Sequence, residues 1–366
     1  MDFFREYISN IGASTSHNTI LQRDMSAVVT FRAYFQPFLR GERTWRLYWQ
    51  NTVDSTFADG AFSRADISGS AYRILSARLG YAFADREIIN EAELTFDGKA
   101  QKDIAPDERF ISDEIALDIP DGAYLCYTVT ADIGSGLDIP CTPDSRALCY
   151  YAAGDRSSER GTENMSEANE CMLPDMFAVK RSVSETRCFI GDSITQGCGT
   201  EAGRCEQWAA RICAALSERD IGGWNLGLGY GRATDAAMGG AWLYKASRCD
   251  NACVCFGIND ILGGNAGEDE LFASLSSIIS ELRQLNPNIR VTVFTIPPFN
   301  LEPEREAVRR AVNARIGELG ADDVFDIAAV LRVSPEREGD AAYGPHPNGD
   351  GGAAVAEEYI KQRCAM

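Results

Sequence analysis

The sequence predicts two parts of different architecture: an all-β sandwich, jelly-roll-like in its strand rhythm, followed by a three-layer α/β domain on a parallel sheet. Three observations carry this. The first 150 or so residues hold short β-branched and aromatic runs divided by turn residues; the last half alternates strand and helix patterns; and a strongly polar stretch lies between. The expected boundaries are 1–153 for the sandwich with a short N-terminal arm, 154–184 for a linker, and 185–366 for the α/β domain.

In the first part, Val28–Phe35, Thr44–Trp49, Tyr72–Ala77, Ile88–Phe96, Glu114–Ile119 and Tyr124–Thr130 read as strands. Their β-branched and aromatic side chains suit a pleated, half-buried surface. Asp59-Gly60, Asp97-Gly98 and Pro120-Asp121-Gly122 supply turns. Residues 1–20 read as a helical or loose arm. Gly154–Glu170 is almost wholly polar, which marks it as a linker.

Beyond it, strands are expected at Arg187–Ile190, Trp224–Leu228, Ala252–Phe256, Ile289–Ile296 and Val324–Ala328. Helices are expected at Cys205–Ser217, Ala233–Lys245, Asp269–Leu285, from Pro303 onward, and at Gly351–Lys361. In Asp269–Leu285, Leu271, Phe272, Leu275, Ile278, Ile279 and Leu282 recur at helical spacing. Repeated β-α units imply a parallel sheet with helices on both faces. Such sheets present ligands at the carboxyl ends of their strands.

Composition narrows the function classes. A formal net charge of −19 over 366 residues would be repelled by nucleic acid and by anionic membrane, so neither is an expected partner. No run approaches the roughly 18 apolar residues of a membrane span. Met1-Asp2-Phe3-Phe4-Arg5-Glu6 lacks the pattern of a signal peptide, and the twelve cysteines are scattered, several in apolar runs, so reduced thiols and a cytoplasmic location are expected. Cys253-Val254-Cys255 would place two small side chains on one face of a buried strand. With two histidines and no CxxC pair, neither a metal nor another cofactor is expected.

Three short segments carry chemistry, and each follows an expected strand end or opens a helix. Gly191-Asp192-Ser193-Ile194-Thr195 lets the chain turn sharply and can aim Ser193 out of the sheet, although Asp192, Ser193 and Thr195 also suit helix caps. Gly257-Ile258-Asn259-Asp260 places an amide where it can donate to a developing oxyanion, although Asn-Asp is also a common turn pair. His346-Pro347-Asn348 precedes the last helix; the other histidine, His17, lies in the N-terminal arm. With the glycine-rich stretch Gly227–Gly231, Ser193 and Asn259 converge on one rim of the sheet.

Residues 191–195 (GDSIT), 225–231 (NLGLGYG), 257–260 (GIND) and 346–348 (HPN) resemble, in order, the sequence blocks of SGNH (GDSL-like) hydrolases. The resemblance covers about half the chain, from Thr186 onward. It implies Ser193 as nucleophile, His346 as base, and an oxyanion hole made by the Ser193 amide, a block-two amide taken as Gly229, and the Asn259 side chain. The first half more faintly resembles the β-sandwich preceding this domain in some bacterial carbohydrate esterases. The passages are Arg46-Leu47-Tyr48-Trp49-Gln50-Asn51 and Leu94-Thr95-Phe96-Asp97-Gly98, with Ser112-Asp113.

Two departures stand out. Counted from Asn225, the block-two glycine falls on Tyr230, and the triad aspartate, three residues before the histidine, falls on Tyr343. The nearest upstream carboxylate is Asp340; the resemblance favours instead a main-chain carbonyl orienting His346 in a dyad. What the resemblance implies is acyl transfer through a Ser193 acyl-enzyme, on small, O-acetyl esters of carbohydrates. Trp208, Trp224 and Trp242 are expected near the rim, where they either face a sugar or fill the core.

The rival readings are a non-catalytic sugar-binding protein on a degenerate esterase scaffold, and a short-chain esterase or lipase on non-sugar substrates. An α/β-hydrolase would need G-x-S-x-G, and Thr195 occupies its last position. A β-sandwich also offers a surface on which the chain could form a homo-oligomer.

Overall fold

Polar sequence does not always mean a loop free of the fold, and the segment after residue 153 is the main case. The computed structural model describes residues 2–17, 19–20, 28–55, 67–134 and 139–364. The chain divides into two compact units: Met1–Val53 with Ile67–Ser182, and Asp54–Asp66 with Val183–Met366. The expected Asp59-Gly60 turn lies outside the described residues.

The first unit is built from antiparallel sheets. One runs Tyr7–Ser9, Met176–Lys180, Gly41–Gln50, with Arg109–Ile111 and Ile115–Ile119 both pairing Gly41–Gln50. The other runs Ser166–Glu167, Leu148–Ala153, Val28–Phe35, Tyr124–Asp132, Tyr72–Ala82, Ile88–Glu93. Phe177 of the first sheet meets Phe35 and Tyr127 of the second, ring centroids 4.6 and 5.3 Å apart, so the two sheets share a core.

Residues 154–184 are not a linker. Ser166–Glu167 and Met176–Lys180 are strands of the two sheets, and the polar stretch before them covers a buried cation. Arg32 is fully buried on Val28–Phe35; its guanidinium donates to the Glu159 carbonyl at 2.5 Å, to the Gly161 carbonyl, and through Nε to Thr128 Oγ1 at 3.0 Å. A buried guanidinium needs acceptors, and main-chain carbonyls of a polar segment supply them without an apolar residue in sight. The N-terminal arm is likewise ordered: Phe3–Glu6 is a one-turn helix and Tyr7–Ser9 pairs with Met176–Lys180. His17 is buried within this unit, with Nε2 3.1 Å from the Leu173 carbonyl.

In the second unit the chain order is β1 (Glu185–Gly191), α1 (Ser193–Gln196), α2 (Trp208–Ser217), β2 (Ile221–Gly227), α3 (Ala233–Ala236), α4 (Ala241–Ala246), β3 (Asn251–Cys255), α5 (Ile258–Leu262), α6 (Glu268–Leu285), β4 (Arg290–Phe294), α7 (Pro303–Arg315), β5 (Asp323–Phe325), α8 (Ile327–Leu331), β6 (Arg332–Ser334), β7 (Arg337–Ala341) and α9 (Gly349–Arg363). The first five strands form one parallel sheet in the order β2-β1-β3-β4-β5. Strand order reverses around β1, so the crevice between the carboxyl ends of β1 and β3 is the topological switch point, where open α/β sheets bind ligands.

Two sequence expectations shift here. Ala233–Lys245 is two short helices rather than one, because Gly239 and Gly240, at φ +82° and +92°, interrupt it. Val324–Ala328 is strand only to Phe325; Asp326 then caps α8, its side chain accepting from Ala329 N–H. The charged run after Leu331 forms the hairpin β6–β7. No described helix is long and apolar enough to cross a membrane.

Candidate active site

Ser193 and Asn259 stand directly past the carboxyl ends of β1 and β3, on the two sides of the switch point. Gly191 makes this possible, since a Cβ there would collide with the Thr195 hydroxyl and the Cys255 carbonyl. Asp192 then caps α1, accepting from Ile194 N–H at 2.9 Å, and the first residue of that helix is Ser193, half-buried at the rim.

His346 arrives from 153 residues away, in the turn that leads into α9, and its Nε2 lies 2.8 Å from Ser193 Oγ. The local sequence fixes its loop. Pro345 and Pro347 restrict the backbone on either side, and Asn348 caps α9 by accepting from Asp350 N–H and Gly351 N–H, both at 3.1 Å. The Phe299 ring meets the imidazole edge-on at 5.3 Å. Burial holds the His346 pKa below its ordinary value, so the ring is neutral at pH 7 and can accept a proton from the hydroxyl.

The sequence offered Asp340 as third member, and the structure places it elsewhere. Asp340 lies on β7 and pairs with Arg337 Nε at 2.6 Å, its side chain nearly half exposed. The hairpin satisfies this carboxylate within itself. A loop carbonyl does not orient the ring either: Tyr343 O accepts from Asn348 N–H at 3.1 Å, and among the described residues His346 Nδ1 makes no hydrogen bond. Asp340→Asn should therefore leave kcat within about threefold of wild type, against the roughly 10⁴-fold cost of disabling a true triad aspartate. The acid limb of the pH–rate profile, set below pH 6.5 by the buried imidazole, should not move. A loss near a thousandfold would restore Asp340 to the site.

The loop after β2 forms the facing side of the site. Leu228 N–H donates to the Gly191 carbonyl at 2.8 Å, which lays the loop against β1. Gly229 then lies against Gln196 of α1, where an added Cβ would sit 2.9 Å from Oε1. Asn259 Nδ2 donates to Gly231 O at 3.1 Å; an amide carries two N–H donors, so one is spent on holding the loop and one is left for a ligand. The next residue continues the grip, as buried Asp260 accepts from Ala233 N–H at 2.9 Å and Thr234 N–H at 3.0 Å, at the start of α3.

Asn259 and Asp260 thus clamp consecutive parts of one loop, which the turn-prone Asn-Asp pair alone does not reveal. Their neighbour Asp192 is also buried; desolvation first, and then the nearby Asp260 carboxylate, push its pKa up to about 7. Its side chain faces Ile194 N–H, so it acts as a cap and not as the partner of His346.

Sequence reasoning also put three tryptophans near the rim. All are core: Trp208, Trp224 and Trp242 are at most 3 % exposed, and the indole N–H groups of Trp208 and Trp242 bind the Ile194 and Leu226 carbonyls at 2.8 and 2.9 Å. They support the backbone of α1 and β2 from below. Two residues at the far end of the loop were not anticipated. Asp54 and Ser55, which follow strand Thr52–Val53 in sequence, belong to the α/β unit. Asp54 Oδ2 pairs with Lys245 Nζ at 2.5 Å, and Ser55 Oγ donates to Asp235 Oδ2 at 3.0 Å.

Residues 189–354 match the GDSL-like Lipase/Acylhydrolase family, so the second unit carries a domain of that family. Among solved structures, the chain is similar to a carbohydrate esterase family 3 structure from Talaromyces cellulolyticus, at 18 % identity over 48 % of this chain and 95 % of that one, TM-score 0.37. It is also similar to a family two carbohydrate esterase from Clostridium thermocellum, at 12 % identity over 97 % of this chain and 98 % of that one, TM-score 0.39. No curated protein sequence matches it.

Proposed function

We propose that this GDSL-like domain is a serine esterase that removes small acyl groups, O-acetyl above all, from carbohydrate alcohols. The observation that carries the esterase reading is the 2.8 Å approach of Ser193 Oγ to a neutral, half-buried His346 Nε2 at the switch point of the sheet. The acetyl group and the sugar follow from the sequence resemblance to two-part carbohydrate esterases.

In this reading the Ser193 hydroxyl proton passes to His346 Nε2 as Oγ bonds to the ester carbonyl carbon. The carbonyl π pair becomes an oxyanion, stabilised by the main-chain N–H groups of Ser193 and Gly229 and by Asn259 Nδ2. Collapse breaks the bond to the alcohol oxygen, which leaves with the proton from His346. Water then attacks the acyl-serine by the same route, giving the acid and free Ser193. His346 works as one half of a dyad, set by its proline-flanked turn and by Phe299 rather than by a carboxylate.

The reading is tested by turnover of p-nitrophenyl acetate and of acetylated sugars by the pure protein, with labelling by a serine-directed fluorophosphonate. Label on Ser193 and acetate release support it; absence of both supports a sugar-binding protein on an esterase scaffold. Asn259→Ala should lower kcat by about 10²–10³, the usual effect of removing one oxyanion donor, with KM little changed. A fall of less than about threefold would make Asn259 a turn residue that only holds Gly231.

A further inference from the structure

Leu228–Gly231 is a tight turn, closed by Gly231 N–H to the Leu228 carbonyl at 3.0 Å. Its third residue has φ +62°, a left-handed backbone that turns of this kind give to glycine. That residue is Tyr230. A bulky side chain at this position is strained, and strain of this sort persists where the surroundings hold it in place, commonly at functional sites. Glycine would adopt this backbone without steric strain, and glycines stand on both sides.

The ring does not repay the strain by filling the core. Tyr230 is 57 % exposed, more than any other aromatic residue of the α/β unit among the described residues. Its backbone lies within the oxyanion loop: Gly229 touches Gln196 of the nucleophile's helix, and the Gly231 carbonyl holds Asn259. Neighbouring Cα atoms are about 3.8 Å apart, so a phenol ring leaving this turn toward solvent stands at the mouth of the site.

We infer that Tyr230 is a specificity-determining residue, a ring on which the alcohol moiety of the ester lies flat through its apolar face. This rests on the esterase reading above. A small acyl group is consumed inside the site, so only the alcohol is large enough to meet a solvent-exposed ring. The chemistry that suits a phenol face is a ring with a patch of C–H groups, such as a pyranoside, rather than a short flexible alcohol.

The test compares an O-acetylated methyl pyranoside with ethyl acetate in wild type, Tyr230→Ala, Tyr230→Phe and Tyr230→Gly. Tyr230→Ala should raise KM for the sugar ester about tenfold relative to any change in KM for ethyl acetate, the upper range of a ring contact, with kcat altered alike for the two esters. Tyr230→Phe should behave as wild type. Tyr230→Gly should match Tyr230→Ala in kinetics and melt no lower than wild type, because glycine relieves the turn; a residue kept for packing would lose stability instead. Equal losses on both esters, a fall in kcat alone, or wild-type kinetics for Tyr230→Ala would overturn the assignment while leaving the esterase reading intact. Failure of wild type on both esters would overturn the esterase reading and this one with it.

Discussion

Ser193→Ala is expected to abolish ester turnover, by about 10⁶-fold in kcat as in other serine hydrolases stripped of their nucleophile, while the melting temperature stays at the wild-type value. The first half follows from roles. His346 can take a proton only from a group within reach, and Ser193 Oγ is the hydroxyl bonded to its Nε2. Two neighbouring nucleophile types are poorly suited to the role: Thr195 is fully buried, and the buried Cys255 thiol next to β1 has its pKa pushed well up by desolvation, leaving it without thiolate at neutral pH. The second half follows from what the side chain does not do. Helix α1 is capped by Asp192, which the substitution leaves alone, and alanine is a better helix former than serine. The lost hydrogen bond is to a half-buried imidazole that water can reach. More than about one per cent residual turnover, or fluorophosphonate labelling of the variant, would sink the nucleophile assignment.

What the sequence made legible was governed by local rules. Strand-to-helix rhythm, glycine at a strand end and a cap at a helix start are written within ten residues. They placed Ser193, Asn259 and the Gly227–Gly231 stretch at one rim of the sheet, and only the family resemblance joined His346 to them. The rest depended on partners remote in sequence. Polar residues 159–161 look like a linker until Arg32, on a strand more than a hundred residues earlier, is seen to need their carbonyls. Asp340 looks like a free carboxylate until the β6–β7 hairpin pairs it with Arg337. The rim tryptophans illustrate the same limit: spacing placed them near the site, but whether an indole faces in or out depends on which carbonyl its N–H finds.

Tyr230 is the opposite case, because its anomaly was legible as a departure from a pattern. The block-two position it occupies is one for glycine, and the structure supplies the reason in a positive φ. A residue that breaks a local backbone rule while most of its side chain faces solvent is a candidate for function.

Lys245→Met should be the most destabilising of the conservative-volume substitutions in the α/β unit, by about 3–5 kcal/mol, with a matching fall in the urea midpoint. Lys245 is on α4, fully buried, and its Nζ meets Asp54 Oδ2 at 2.5 Å with Asp54 itself 1 % exposed. Methionine keeps most of the volume, so packing is nearly conserved; what is lost is the cation that compensates a desolvated carboxylate. The effect should not be read as the strength of the pair. Replacing both partners, as Lys245→Met with Asp54→Leu, removes the charge along with its counter-charge and should recover most of the loss, the signature of desolvation rather than of net attraction. Under the proposed esterase reading the pair also bears on rate. Next to Asp54, Ser55 holds Asp235, and Asp235 lies 3.5 Å from Arg232 Nε, the residue that follows the Gly231 gripped by Asn259. The single variant should therefore lose kcat as well as stability, because the oxyanion loop is anchored from both ends, whereas the double variant should regain stability before it regains rate. A cost below about 1 kcal/mol for Lys245→Met would show that water reaches Asp54 and that the pair behaves as a surface salt bridge.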